Sequence, residues 1–280
     1  MSGKSSVTVI VLNWNGRELL EDCLGSLEKV DYNNFNVLVV DNGSTDKSVH
    51  YIKSTFPNVE VLELNENIGY AAGNNAGFKH IIKNQPDFVI FLNNDTTVAS
   101  DFVEYLIKPL QKDKAVGQTV PKIYYSNEPQ KIWYAGGKVN LWIGNISHSG
   151  IRKIDSPNFD ILKRTGYATG CCFAMRTVDF DNLGCFDETF PMYAEDVDLS
   201  LRIKDSGKSV VFVPDSKIWH KVSASMGGEF SFKKLKRKIM GLFRIYTKHA
   251  KVIQWLTTIF CSPFLLLANI IKYFRLYFSE

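Results

Sequence analysis

The chain has 280 residues, of which 45% are hydrophobic, and this excludes general disorder in favour of one large domain or one domain with an appendage. The net charge of +4 hides an asymmetry, because residues 229–280 hold 10 Lys or Arg against 2 acidic residues. The five cysteines are odd in number and include no CxxC pair, so neither a thiolate zinc site nor a disulfide framework is indicated, and a reducing cytosol fits best. Residues 7–12 are too short a run for a signal-peptide core.

Short apolar runs alternate with helix-like segments in the first 92 residues. Strands are predicted over residues 7–12, 36–40, 59–64 and 88–92, and helices over residues 17–29, 46–55 and 71–83. Ser44 and Thr45 are available as caps for the second helix. This alternation predicts a parallel α/β sheet, in which ligands bind beyond the carboxyl ends of the strands.

The residues that follow these strands are short and polar. They occupy positions 13–16, 41–45, 65–69 and 93–95 and contain neither a Gly-x-Gly-x-x-Gly pattern nor a Gly-Lys-Ser/Thr loop, which argues against NAD and ATP sites. Asp41, directly after an apolar run, could accept a hydrogen bond from a pyrimidine imide or a ribose hydroxyl. The alternative interpretation, that residues 41–46 form a turn and a helix cap, stays open.

Two acidic clusters lie about a hundred residues apart. Asn93, Asn94 and Asp95 end an apolar run, where they could hold a metal over a diphosphate. Glu195 and Asp196 open a helix-like segment and could supply a carboxylate base. Together the clusters suggest sugar transfer from a nucleotide.

Five motifs in the same order resemble family 2 glycosyltransferases, especially the branch that contains rhamnosyltransferases. They are residues 9–16 (VIVLNWNG), 39–46 (VVDNGSTD), 65–74 (NENIGYAAGN), 92–96 (LNNDT) and 195–199 (EDVDL). The resemblance spans roughly residues 6–225 and implies a GT-A fold. We therefore expect one continuous domain over residues 1–228, with a nucleotide-sugar half (1–115) and an acceptor half (116–228).

The resemblance also implies which residues bind the nucleotide-sugar donor. Asp41 would contact the base; the other expected donor-binding residues are Asn13, Asn15, Asn67, Gly69, Asn74, Asn93, Asn94 and Asp95. For Asn67 and Asn74 the alternative is a turn residue and a helix cap.

The family's Asp-x-Asp motif corresponds to residues 93–95, so Asp95 is the implied metal ligand. Asn93 replaces the first acid, which removes one negative charge. His220 follows the predicted last strand (210–213), where this family often places a metal-binding histidine. One imidazole among oxygen ligands would fit Mn²⁺ somewhat better than Mg²⁺. The alternatives are a plain turn at 93–96 and a structural histidine packed beside Trp219.

Glu195 and Asp196 match the family's acidic pair, whose second member is usually the general base of inverting members. Asp196 would take the proton of the acceptor hydroxyl, and the charges of Glu195 and Asp198 would raise its pKa. Without the other motifs, the pattern would indicate a helix N-terminus with acidic residues suited to the dipole. Residues 169–175 resemble a buried strand in which Cys171 and Cys172 are packing residues.

The basic tail (229–280) is expected to be helical and to contact a membrane. Lys or Arg side chains precede an uncharged stretch (252–271), and Lys272 and Arg275 follow it. Pro263 and several polar residues favour an interfacial or re-entrant anchor over a full span. The soluble alternatives are a helical hairpin and a homodimer interface. The apolar continuation argues against nucleic acid as a partner.

These features predict an inverting, metal-dependent glycosyltransferase that uses a UDP- or dTDP-sugar. A membrane-bound enzyme of this kind would act on a lipid-linked saccharide acceptor at the cytoplasmic face of the membrane, in surface polysaccharide assembly. The competing interpretation is a noncatalytic nucleotide-sugar-binding or scaffold protein, which Asn93 supports. A nucleotidyltransferase would need a Gly-rich basic loop after the first strand, whereas residues 13–17 contain one glycine.

Overall fold

The computed structural model describes residues 4–190, 192–222 and 232–261, with side chains from residue 236 onward in the last segment. The first half alternates strictly: β1 (Val7–Asn13), α1 (Arg17–Leu27), β2 (Phe35–Asp41), α2 (Ser48–Thr55), β3 (Glu60–Glu63), α3 (Tyr70–Ile81) and β4 (Phe88–Asn93). All four predicted strands and all three predicted helices are confirmed. The central strands β1 and β4 form continuous apolar runs because they are buried on both faces of the sheet, whereas β2 is buried only in its second half and the outer strand β3 is partly exposed.

The start of α2 differs from the expectation. Its N-terminal position is taken by Lys47 in a left-handed conformation (φ 67°), and neither Ser44 nor Thr45 caps it. Instead, the carboxylate of Asp46 accepts the N–H of Ser48 at 3.0 Å and the N–H of Arg17 at 2.9 Å. Asp46 therefore joins the starts of α1 and α2.

The second half adds eight strands and four helices. They are β5 (Thr96–Val98), α4 (Phe102–Lys112), β6 (Val116–Tyr125), β7 (Glu128–Tyr134), β8 (Gly137–Asn140), β9 (Asn145–His148), β10 (Lys163–Arg164), β11 (Cys172–Arg176), α5 (Thr177–Asn182), α6 (Glu195–Asp205), β12 (Ser209–His220) and α7 (Phe232–His249). Residues 252–261 form a further helix, α8. The predicted last strand is longer than 210–213, so His220 ends β12 rather than following it.

The main sheet has the order β10-β12-β6-β11-β4-β1-β2-β3, with β5 beside β12 and β7 beside β6. Strands β1 to β4 are parallel, as predicted. Strand β11 lies antiparallel between β4 and β6. The carboxyl end of β4 and the start of β11 therefore meet at one edge of the sheet.

Aromatic side chains in the core pack between β4, β11 and the segments beside them. The ring centroids of Phe91 and Phe173 are 5.0 Å apart, and Phe91 also contacts Phe180 and Phe186. Helix α3 packs closely on β1 and β2, because a Cβ at Gly77 would meet a Val40 methyl carbon at 2.6 Å. These contacts fix the edge from which Asp95 and Cys171 extend.

Helix α7 packs against α6, with Ile245 and Tyr246 buried. The Tyr246 hydroxyl donates to the carbonyl of Leu141, between β8 and β9. No helix among the described residues is both long and apolar enough to cross a bilayer. Residues 262–271 of the predicted uncharged stretch, with Lys272 and Arg275, lie outside the described residues. The domain boundary at residue 228 stays a prediction.

Candidate active site

Three predicted site residues form a hydrogen-bonded row across the carboxyl ends of β4, β1 and β2. The Asn94 side chain donates Nδ2–H to Asn13 Oδ1 at 2.7 Å, and Asn13 Nδ2 donates to Asp41 Oδ1 at 3.0 Å. Asp41 Oδ2 accepts the N–H of Ser44 at 2.9 Å. Asn13 and Asp41 are buried. Because a carboxylate offers about four acceptor positions, Asp41 keeps capacity for a ligand after these bonds.

Asn15 connects the loops that follow β1 and β2. Its Oδ1 accepts the N–H of Thr45 at 2.8 Å, and its own N–H donates to Ser44 Oγ at 2.9 Å. The backbone of Asn15 has a φ of 49°, a value at which asparagine is enriched. Asn15 therefore shapes the loop beside Asp41, and its contact with a donor stays a prediction.

The segment before α3 is organised by Asn42, which the sequence interpretation missed. Its Oδ1 accepts the N–H of Ile68 at 3.0 Å, and its Nδ2 donates to Asn67 Oδ1 at 3.2 Å. Gly69, with a φ of 93°, directly precedes α3. Asn74 is buried within α3 and donates to the carbonyl of Tyr70 at 3.0 Å. Asn67 and Asn74 thus make local bonds, and their part in donor binding stays a prediction.

Asp95 and His220, the two predicted metal ligands, are brought together although they lie far apart in sequence. Asp95 Oδ1 is 3.1 Å from His220 Nε2, and both side chains are buried. Asp95 Oδ1 has no hydrogen-bond partner among the described residues, so the two atoms are close without being aligned as donor and acceptor. The ring of Trp133 packs edge-on against His220, with centroids 4.6 Å apart.

This arrangement fits a divalent cation. Two ligand atoms that share one Mg²⁺ or Mn²⁺ with bonds of roughly 2.1 Å at a right angle lie about 3 Å apart. No group of three or more His, Cys, Asp or Glu side chains in the described part of the chain is arranged as a metal site. A carboxylate and an imidazole alone suit an ion that takes its remaining ligands from water and a substrate diphosphate.

Glu195 and Asp196 open α6. Asp196 accepts the N–H of Gly170 through Oδ2 and the N–H of Val197 through Oδ1, both at 2.8 Å. Burial raises the pKa of Asp196, and these N–H donors act against the rise. Burial, followed by the charge of Asp196, raises the pKa of Glu195 to about 8. Glu195 Oε2 is buried with no hydrogen-bond partner among the described residues.

Contrary to the expectation, Asp198 is paired with basic side chains and does not act on Asp196. It is fully buried and lies 2.8 Å from Arg202 Nε, Lys248 Nζ and His249 Nε2. Burial alone would raise the pKa of Asp198, but the bonds from His249 and Lys248 and the charge of Arg202 lower it below its usual value. The expectation that Asp198 raises the pKa of Asp196 is therefore wrong, because α6 and α7 balance its charge.

Gly170 and Cys171 connect the two acidic clusters. Gly170 donates its N–H to Asp196, while the carbonyl of the next residue, Cys171, accepts the N–H of Asn93 at 2.9 Å. The carbonyl of Gly170 accepts the hydroxyl of Tyr70 at 2.6 Å. A Cβ at Gly170 would lie 3.0 Å from that hydroxyl oxygen. The sequence analysis gave no role to Tyr70, although it lies in the motif at 65–74, or to Gly170, because their roles arise from contacts between distant segments.

The backbone of Cys171 belongs to this site, but the thiols of Cys171 and Cys172 are not placed as nucleophiles. Cys171 and Cys172 are buried, and burial raises the pKa of both thiols above the usual value, which disfavours the thiolate. Their predicted role as packing residues is confirmed.

Comparisons with known proteins agree with the motifs. A family model described as Glycosyl transferase family 2 matches residues 8–184. The chain is 26% identical over 243 residues to N-acetylglucosaminyl-diphospho-decaprenol L-rhamnosyltransferase of Mycobacterium tuberculosis, covering 78% of this chain and 77% of the relative. It is 28% identical over 233 residues to the O-antigen biosynthesis protein RfbC of Myxococcus xanthus, covering 80% of this chain but 18% of that protein.

Two solved structures share the fold. GalNAc-T7 with UDP, GalNAc and Mn²⁺ has a TM-score of 0.67 at 19% identity, over 88% of this chain and 48% of that one. The mannosyltransferase PcManGT from Pyrobaculum calidifontis, in complex with GDP-Man and Mn²⁺, has a TM-score of 0.62 at 20% identity, over 92% of this chain and 70% of that one. At these identities the likeness concerns the fold, and the expected GT-A fold is confirmed.

Proposed function

Because this chain belongs to glycosyl transferase family 2, we propose that it is an inverting, metal-dependent enzyme that moves a sugar from a UDP- or dTDP-sugar to a hydroxyl of a lipid-linked saccharide. The observation that carries this proposal is the meeting of Asp196 with the Asp95–His220 pair at one sheet edge, through the adjacent residues Gly170 and Cys171. A transferase needs a base on the acceptor side and charge neutralisation on the diphosphate side, and this edge offers both.

Asp196 acts as the general base. Its carboxylate takes the proton of the acceptor hydroxyl while that oxygen attacks the anomeric carbon of the donor sugar. The bond from this carbon to the diphosphate oxygen breaks, and its electron pair leaves with the nucleoside diphosphate, so the configuration inverts. The raised pKa of Asp196 brings the base closer to the operating pH. The N–H groups of Gly170 and Val197 fix the carboxylate.

Asp95 and His220 would hold a divalent cation, with Mn²⁺ favoured over Mg²⁺ because imidazole is one of the two protein ligands. The cation would neutralise the charge that develops on the departing diphosphate. The two solved structures of the same fold contain Mn²⁺, which supports this choice. Asn93 contributes no charge, so the protein presents one carboxylate rather than two in residues 93–95.

The row of Asn94, Asn13 and Asp41 receives the nucleoside. The free acceptor positions of Asp41 suit a base with an imide N–H, such as uracil or thymine. The similarity to the N-acetylglucosaminyl-diphospho-decaprenol L-rhamnosyltransferase of Mycobacterium tuberculosis supports a diphosphate-linked polyprenol saccharide as the acceptor and L-rhamnose as a candidate sugar.

The test is release of nucleoside diphosphate from a panel of UDP- and dTDP-sugars, with lipid-linked acceptors in detergent and with Mn²⁺, Mg²⁺ or EDTA. We expect metal-dependent turnover, a loss of about 10²- to 10⁴-fold in kcat for Asp196→Asn, and a comparable loss for Asp95→Asn. Asp31→Asn, at an exposed position, is the matched control and should retain turnover.

Turnover that persists in EDTA and in both variants would overturn the mechanism. Donor binding without turnover on any acceptor would favour a noncatalytic nucleotide-sugar-binding protein, the alternative that Asn93 supports. No binding to any donor in a titration would overturn the nucleotide-sugar assignment.

A further inference from the structure

Helix α8, described over residues 252–261, turns most of its apolar side chains away from the protein. On its inward side, Thr258 Oγ1 contacts the Tyr246 hydroxyl and donates to the carbonyl of Leu141 at 3.2 Å, and the ring of Trp255 packs against that of buried Tyr246. Its apolar side faces outward, with Val252 77% and Leu256 59% exposed. A surface helix of a globular protein normally buries its apolar stripe, so this orientation indicates contact with something other than water.

Helix α7 continues the same outward surface. Phe243 is 58% exposed and lies one turn from Ile239, which is also exposed. The ring of Phe243 contacts that of Trp255 on α8, with centroids 5.6 Å apart, so the two stripes adjoin. We name this surface the tail surface; it consists of Ile239, Met240, Phe243, Val252, Ile253 and Leu256.

The charged side chains of α7 and α8 themselves all have one sign. Residues 232–261 contain eight Lys or Arg and no Asp or Glu. Lys236, Lys238 and Lys251 are exposed on these helices. The occupant of the surface must therefore be both apolar and anionic. A bilayer that contains anionic phospholipids has this combination of properties, since basic residues are drawn to its headgroups while apolar side chains enter the acyl boundary.

We propose that the tail surface lies on an anionic lipid bilayer, with α7 and α8 in the plane of its interface. Each buried apolar side chain of this size contributes about a tenfold gain in partitioning, so several together hold the chain on the membrane. The cytoplasmic face of the cell membrane supplies such a surface.

The opposite side of α7 supports the start of α6. A Cβ at Gly241 would lie 2.7 Å from the carbonyl oxygen of Tyr193 and 3.1 Å from Cβ of Ala194, directly before Glu195. Helix α7 therefore carries part of the tail surface on one side and contacts the turn before the acidic pair on the other. In this placement a lipid-linked acceptor would reach Asp196 from the membrane. The identity of that substrate rests on the proposed function, whereas the placement itself does not.

The test is co-sedimentation of the full chain with sucrose-loaded vesicles of phosphatidylcholine, with or without 30% phosphatidylglycerol. We expect binding to the anionic vesicles, weakening in 0.5 M NaCl, and a loss of at least tenfold in partitioning for Phe243→Ser combined with Leu256→Ser. Val178→Ser on α5 is the matched control, because Val178 is 59% exposed and lies outside the tail. The double variant Lys236→Gln with Lys238→Gln should reduce binding only to the vesicles that contain phosphatidylglycerol.

Circular dichroism and melting curves establish that each variant is folded. Binding that the double serine variant retains, or absence of binding by the native chain, would overturn the proposal. Light scattering decides one further case: if the native chain is a dimer that does not bind vesicles, and the double serine variant is a monomer, the tail surface is assigned to contact with a second copy of the chain. The assay contains no nucleotide-sugar, so its failure leaves the proposed transferase activity standing, and failure of that activity leaves the vesicle result standing.

Discussion

Glu195→Gln tests whether the buried acid beside the proposed base is protonated at neutral pH. The pKa of Glu195 is raised from its ordinary 4.5 to about 8 by burial and then by the charge of Asp196. At pH 7 about 90% of folded molecules would carry the proton. The unfolded chain loses that proton near pH 4.5, so between pH 4.5 and 8 the folded state binds more protons than the unfolded state.

The consequence is a stability that falls as pH rises. Glu195 stabilises the fold fully below pH 4.5, and this contribution is lost as pH increases to about 8, at up to ~1.4 kcal/mol per pH unit. From pH 5 to pH 8 the native chain should therefore lose about 3 to 4 kcal/mol relative to Glu195→Gln, because the slope is reduced near each of the two pKa values. The buried amide adds a cost that does not depend on pH.

The assay is urea unfolding of both proteins at pH 5, 6, 7 and 8, supported by melting curves, in which 4 kcal/mol corresponds to about 10 °C. Glu18→Gln, at an exposed position in the first turn of α1, is the control and should leave the pH dependence unchanged. If the difference in unfolding free energy between native chain and Glu195→Gln stays constant within about 0.5 kcal/mol from pH 5 to 8, the reasoning about Glu195 is refuted.

Two further predictions concern contacts around α6. Asp198→Asn should lower the free energy of unfolding by about 3 kcal/mol, because it leaves Arg202 and the two basic groups of α7 without their buried carboxylate. A loss below about 1 kcal/mol in urea unfolding would contradict the ion-pair assignment. Gly170→Ala should lower kcat about tenfold with little change in melting temperature, since its Cβ would crowd the Tyr70 hydroxyl beside the base. The control Gly25→Ala, with open space at Cβ, should keep kcat, and equal kcat in both variants would argue against the positioning role of Gly170.

The local features of the fold were predictable from sequence. Strands β1 to β4 follow from apolar runs bounded by turn residues, and their order along the chain places Asn13, Asp41 and Asp95 at one edge. The motif resemblance added His220 as a metal ligand and assigned the role of base to Asp196 within the acidic pair. The structure places His220 beside Asp95.

The long-range features were not predictable. The run at residues 169–175 is apolar enough for a buried strand, but nothing in it distinguishes an antiparallel strand from a parallel one. Asp198 was expected to raise the pKa of Asp196. That expectation failed because the basic partners of Asp198, Lys248 and His249, lie about fifty residues away in sequence and could not be foreseen. Asn42 was overlooked beside Asp41, since its importance comes from bonds to the segment before α3.

The turn that leads into α6 holds three consecutive non-glycine residues in an unfavourable backbone region, with φ values of 148° at Met192, 71° at Tyr193 and 76° at Ala194. Such conformations cost on the order of 1–3 kcal/mol each. Glycine adopts positive φ without this cost, so at position 194 it would relax the backbone directly before the acidic pair. The turn therefore stores strain next to the proposed base, and the close approach of Gly241 on α7 to Tyr193 and Ala194 helps to hold it there.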